Sequence, residues 1–169
     1  MENAFNKIGD GKLLGLENKL KTQNSLVDKL VREAIDLKSL ADPLARAGSD
    51  VKDAVRYSAI FDADNFTSNA KKFMSELEQA GWERIKLKNT FKAGENFKGI
   101  NTAWRNKSGD AVEIQLHTER GYYTNKQTHD MYVKSRHPNT PQAEKSMLNI
   151  QIRGLSEAIE LPDGVETIK

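Results

Sequence analysis

Between Ala111 and His117 the chain alternates without a break, with Val112, Ile114 and Leu116 on one side and Glu113, Gln115 and His117 on the other. Successive residues of a strand point to opposite faces, so the segment reads as a half-buried strand with one apolar and one polar face. It follows "NKSGD" (106–110), which reads as a hairpin connection. A three-residue loop with Gly109 in the left-handed region pairs Asn106 with Asp110. Counting back from that pair, Ala103 faces Glu113 and Asn101 faces Gln115, while Ile100, Thr102 and Trp104 join the apolar side. A two-residue loop would set Trp104 against Glu113 and mix the faces, so the segregated register is expected. The polar face is unusual in holding a carboxylate, an amide and an imidazole in a row.

The remaining elements are arranged around this hairpin. Residues 1–12 read as a loose lead-in, polar and with two glycines. A helical pattern runs from Leu13 to about Ala34, interrupted by the capping residues "TQNS" (22–25), and a short helix follows at 36–46. "DAVRYSAIF" (53–61) reads as a buried strand. Phe66, Ala70, Phe73, Met74 and Leu77 fall at helical spacing, with Gly81 as the stop. A second strand is expected at 82–89, a glycine-containing loop at 90–96 and a third strand at 97–105. Two helices are expected at 119–135 and 140–159, the second with Thr140 as N-cap and Pro141 at the first helical position. One domain over 13–160 with a tail at 161–169 accounts for the chain. The order of elements predicts an α+β fold, a small mixed or antiparallel sheet of about four to five strands flanked by helices.

At 169 residues the chain can bury one real core, and 37% apolar with 30% charged residues is a globular composition. A net charge of +2 removes any sequence-wide electrostatic case for nucleic acid. The absence of cysteine excludes disulfides, thiolate metal sites and cysteine nucleophiles. No apolar run reaches membrane-spanning length, and "MENAFNKIGDGK" lacks the core of a signal peptide. Chemistry must come from Asp, Glu, Lys, Arg, His and backbone.

Asp53 and Glu113 lie on two strands of the same small sheet, and converging carboxylates hold a hard divalent cation against phosphates. From the pattern alone, two solvated positions are the commoner explanation. Lys21, Ser25 and Lys29 share a helical stripe, a ladder of donors suited to polyphosphate or an ordinary solvated face. Arg56 sits inside an apolar strand and needs a partner or a ligand. "KAGENFKG" (92–99) lacks the second glycine and the Gly-Lys-Ser/Thr ending of a P-loop. Phe97 in it suits either base stacking or the start of a core strand. His117 and His129 lack zinc-site spacing.

Taken in order, these pieces resemble the synthetase domain of the RelA/SpoT family, the alarmone (p)ppGpp synthetases and their toxin relatives. Lys19, Lys21, Ser25 and Lys29 fit its basic-x-basic-x₃-Ser-x₃-Lys segment, and "KDAVRY" fits its aspartate-bearing strand with Asp53 and Arg56. "FKGINT" (97–102) fits its acceptor loop, "EIQLHT" (113–118) its most specific strand, and His129 with Tyr132 its His-x-x-Tyr helix. The resemblance spans about Lys19 to Tyr132.

What it implies is a pyrophosphokinase, passing the β,γ-pyrophosphate of ATP to a ribose 3′-hydroxyl of an adenosine or guanosine nucleotide. Lys19, Lys21, Ser25, Lys29 and Arg56 would hold the ATP phosphates and Asp53 would hold Mg²⁺. Glu113 would act on the acceptor hydroxyl as base or second metal ligand, with Phe97, Asn101, Gln115, His117 and His129 around the acceptor. Phe97 stands where the family has tyrosine, Asn101 where it has histidine and His117 where it has arginine, which leaves the acceptor open, the 3′ end of tRNA included. No counterpart of the family's hydrolase domain is visible, which implies a toxin module or a small stand-alone synthetase, and the variant "DAVRY…FKGINT…EIQLHT" resembles the toxin-type branch more. It implies a cytoplasmic site of action, in a target bacterium if delivered, and a cognate immunity or antitoxin protein. An ADP-ribosyltransferase using NAD and a nucleotide-sensing module without catalysis are the other readings.

Overall fold

A computed structural model describes residues 5–14, Val31 and 55–169. Five strands form one mixed sheet: β1 (Lys12–Leu14), β2 (Arg56–Phe61), β3 (Glu83–Asn89), β4 (Ile100–Arg105) and β5 (Ala111–Thr118), in the order β1-β2-β5-β4-β3. Only β2 and β5 run parallel; the other neighbours are antiparallel. The described helices are α1 (Phe66–Gln79), α2 (Glu119–Gln127), α3 (His129–Arg136) and α4 (Gln142–Glu157). This is the α+β architecture expected from the order of elements.

The hairpin register is the segregated one, with Asn101 opposite Gln115 and Ala103 opposite Glu113. Asn106 sets it. Its Oδ1 accepts from the amides of Ser108 and Asp110 at 2.9 Å each, and Gly109 takes φ +92° to close the loop. The apolar side of the sheet then carries Ala59, Phe61, Ile100, Trp104, Val112, Ile114 and Leu116, all buried. Against it α1 lays Phe66, Ala70, Phe73, Met74 and Leu77, all buried, the face its 3.6-residue period predicts. The helix stops as expected: Trp82 N–H donates to Leu77 O and Gly81 N–H to Glu78 O, both at 3.0 Å, the two bonds of a Schellman ending.

Several expectations are corrected. The described residues ahead of Lys12 are packed rather than loose, with Phe5 stacked on Phe61 at 5.7 Å and edge-on to Phe73 at 5.5 Å. Leu13 and Leu14, expected to open a helix, instead pair with Ala59 and Ser58, because an edge strand covers the open side of β2. At the other end Val165 and Ile168 are in the core, tied down by Asn89 Nδ2, which donates to Val165 O at 2.7 Å. The third strand begins at Ile100, not 97, because Thr90 N–H and Oγ1 both bind Gly99 O and hold the preceding segment as a loop. The helix expected at 119–135 is two. Thr128 Oγ1 donates to Thr124 O at 2.9 Å, a back-bond that bends the chain between α2 and α3. Thr140 caps nothing: its Oγ1 donates to Lys134 O at 2.7 Å, and Pro141 precedes α4 without a side-chain cap. Residues 15–30 and 32–54, which hold most of the expected N-terminal helices and the start of the expected strand at 53, lie outside the described residues.

Candidate active site

Pairing places side chains that face each other across a ladder on the same side of the sheet. Arg56, Ser58 and Ile60 of β2 therefore join Glu113, Gln115 and His117 of β5, and Asn101 and Ala103 of β4. Lys86 and Lys88 of β3 extend this face, opposite Ala103 and Asn101, and both are exposed. A β-bulge between Arg84 and Lys86 resets the β3 alternation so that both lysines reach it.

Glu113 Oε1 forms an ion pair with Arg56 Nε at 2.9 Å and accepts a hydrogen bond from Gln115 Nε2 at 2.7 Å. The ion pair is half open, with side-chain exposures of 39% for Arg56 and 18% for Glu113, so solvent screens it while a ligand can still reach it. Arg56, a charge in an apolar strand, thus has its partner across the parallel ladder. Gln115 Oε1 in turn lies 3.4 Å from His117 Nε2, and His117 Nδ1 lies 3.4 Å from Asn125 Nδ2 of α2. Asn125 Nδ2 also donates to Lys98 O at 3.0 Å. One line of polar groups runs from Arg56 to the loop before β4. Beside it, the buried Oδ1 of Asn101 has no hydrogen-bond partner among the described residues.

His117 is 2% exposed. Burial, reinforced by the positive charge of Arg56, pushes its imidazole down to about 4 against an upward pull from the Lys98 carbonyl, so the ring is neutral near pH 7. Phe97 meets it edge-on at 5.3 Å and Tyr122 at 5.8 Å. Gly99 makes this approach possible, since a Cβ there would stand 2.9 Å from the Phe97 ring and 3.0 Å from His117 Nδ1. The loop is anchored from below: Ser156 Oγ donates to Asn96 O at 2.6 Å, and the buried Lys98 Nζ donates to Lys92 O. Burial pushes the Lys98 amine down, and Glu157 and Glu95 pull it back up.

Arg56, Asn101, Glu113, Gln115 and His117 thus share one face, with Phe97 at its edge. His129 opens α3 and is exposed, and Tyr132 accepts from Arg136 Nη1 at 2.7 Å, away from this line. Lys19, Lys21, Ser25, Lys29 and Asp53 lie outside the described residues. Sequence reasoning missed Asn125, Gly99 and the Lys86–Lys88 pair. Thr118 gave a usable signal for the first. Its Oγ1 caps α2 by accepting from Gly121 N–H at 3.1 Å, and Tyr122 and Asn125 follow at the helical spacing that turns them toward β5. Among the described residues no group of three or more His, Cys, Asp or Glu side chains could enclose a metal, and no helix is long and apolar enough to cross a membrane.

No protein-family model matches the chain, and no curated protein sequence is similar to it. Solved structures are similar. The Type VI effector Tas1, determined in complex with its immunity protein, superposes with a TM-score of 0.58 at 20% identity, over 92% of this chain and 84% of that one. Small alarmone synthetase 1 from Bacillus subtilis, bound to its product pppGpp, gives 0.57 at 16% identity over 88% and 74%. A GTP pyrophosphokinase family protein from Streptococcus pneumoniae gives 0.52 at 13% identity over 87% and 68%. At these identities the likeness is one of architecture, and the chain has the fold of the alarmone synthetases that its motifs resemble.

Proposed function

We propose that this chain is an ATP-dependent pyrophosphokinase that transfers the β,γ-pyrophosphate of ATP to the 3′-hydroxyl of an adenosine or guanosine nucleotide, as a bacterial toxin domain. The observation that carries the reading is the Arg56–Glu113–Gln115 cluster on the polar face of β2 and β5, a reachable carboxylate held by a cation and an amide. In the transfer, the acceptor 3′-oxygen loses its proton to Glu113 and bonds to the β-phosphorus as the bond between that phosphorus and the α-phosphate oxygen breaks. AMP leaves. Such a reaction needs positioning and charge neutralisation more than covalent help from the protein. Lys19, Lys21, Ser25, Lys29 and Arg56 hold the ATP phosphates, while Lys86 and Lys88 add positive charge along the same face for the acceptor. Phe97 offers a ring edge-on to His117 on which a base can stack, with Asn101 and Gln115 on the same sheet face and His129 as a further acceptor contact.

Mg²⁺ fits the donors present. It keeps most of its water and needs only one or two carboxylates besides substrate phosphates, and Glu113 is a hard oxygen donor on an open face. With Asp53, Glu113 would hold it, and its charge would offset that developing on the phosphates. The effector Tas1 was determined with its immunity protein; that likeness supports a cognate immunity protein for this chain, and the motif resemblance is the ground for action in a bacterial cytoplasm.

The test is product analysis. With ATP labelled on the γ-phosphate, label should move to an adenosine or guanosine nucleotide with stoichiometric AMP. Label appearing on tRNA alone, or nicotinamide released from NAD without AMP formation, would replace this reading.

A further inference from the structure

The line of hydrogen bonds across the polar face has two ends whose chemistry admits no choice. At one end the Lys98 carbonyl can only accept, so the Asn125 atom 3.0 Å from it is the NH₂ group. At the other end Glu113, ion-paired with Arg56, accepts, so the Gln115 atom 2.7 Å from it is also NH₂. Gln115 therefore turns its carbonyl oxygen to His117 Nε2, and Asn125 turns an N–H to His117 Nδ1. Besides the Lys98 carbonyl, which pulls toward a ring proton, the ring faces an acceptor at Nε2 and a donor at Nδ1, and these two contacts are both satisfied with its hydrogen on Nε2 and a lone pair on Nδ1. The opposite tautomer would set N–H against N–H at Asn125 and lone pair against lone pair at Gln115. The groups that face the ring from its neighbours are Arg56 from β2, Tyr122 and Asn125 from α2, and Phe97 and Lys98 from the loop; the Lys98 carbonyl pulls toward a protonated ring, while burial and the positive charge of Arg56 act against an imidazolium.

We propose that His117 is a positioning residue, whose Nε2–H fixes the Gln115 amide so that its NH₂ group faces Glu113 and holds that carboxylate in its working orientation. An arginine, which the resembled family has at this position, could not accept from Asn125 and would carry a charge into a place this chain buries. The role of Glu113 rests on the pyrophosphokinase reading; the way Glu113 is held rests on the hydrogen bonds alone.

Two measurements test it. Nitrogen-15 spectra of the His117 imidazole in the ligand-free protein at neutral pH should show the neutral ring protonated on Nε2. An Nδ1–H ring or an imidazolium overturns the proposal. In steady-state transfer, His117→Phe keeps an aromatic ring and removes both nitrogens, and kcat should fall roughly 10–100-fold, the usual effect of losing a group that orients a working one, with KM for ATP held. His117→Gln, which can donate from near the Nε2 position, should recover most of the loss. Wild-type turnover in the Phe variant, or equal losses in both, overturns the proposal. Should the Phe variant fail to fold, the ring's tautomer and the Gln variant decide. A wild type with the Nε2–H ring that transfers no pyrophosphate keeps the hydrogen-bond line and removes the pyrophosphokinase reading.

Discussion

Val112, Ile114 and Leu116 look down from β5 onto α1, while Glu113, Gln115 and His117 look up from the same strand into a line of hydrogen bonds. The lower face is held by area removed from water, which has no direction and tolerates exchange of one apolar side chain for another of similar volume. Five of the six phenylalanines lie there, Phe5, Phe61, Phe66, Phe73 and Phe91. The upper face depends on which atom donates and which accepts, so a change that preserves volume can still reverse a bond. Only Phe97 of the phenylalanines is on that side, against His117. One face therefore carries stability, and the other carries the identity of the site.

That division can be broken by experiment. The largest effect is expected at Glu113, where Glu113→Gln preserves shape and should slow transfer roughly 10²–10⁴-fold, the usual contribution of a positioned base. Its denaturation midpoint should stay near wild type. Asp53→Asn should be comparably severe, and the double variant little worse than the worse single one, because both serve one transition state. Near-normal turnover in a folded Glu113→Gln protein would show the polar face to be ordinary surface. Next comes Phe73, 2% exposed beneath β2. Phe73→Ala should cost about 3–5 kcal/mol in denaturant unfolding while the folded fraction keeps its transfer rate. A fall in rate per folded molecule would join the two faces into one functional unit.

The smallest effect concerns acid. His117 moves from an ordinary value of 6.5 down to about 4 on folding. The unfolded chain therefore binds the extra proton first, and the contribution is fully present above about 6.5 and lost as pH falls toward about 4. By linkage this is up to about 3 kcal/mol. His117→Phe should flatten that limb of the stability–pH curve, and an unchanged limb would mean that the ring titrates alike in the folded and unfolded chain.

How much of this was legible depends on the range of the interaction. The hairpin register followed from Asn106, Gly109 and the period of two, and α1 followed from five apolar residues at helical spacing ended by Gly81. Both are local. The split between α2 and α3 was not legible, because Thr128 suits a helix interior as well as a back-bonded bend, and only the packed structure chooses. The edge strand at Lys12–Leu14 was missed because two leucines fit a helix as well as a strand until β2 offers an open edge.

The sequence by itself determined the two-faced strand, its partner in register and the residues with chemistry to offer, since periodicity and turn geometry act over a few residues. Tertiary structure alone decided that β2 lies parallel to β5, which puts Arg56 against Glu113. It also decided that α2 brings Asn125, and the loop before β4 brings the Lys98 carbonyl, to His117. Those contacts join residues from separate elements, and no spacing along the chain encodes them. The tautomer of one imidazole is set by the Gln115 oxygen and the Asn125 amide group, which meet at the ring only when the sheet and the helix are assembled.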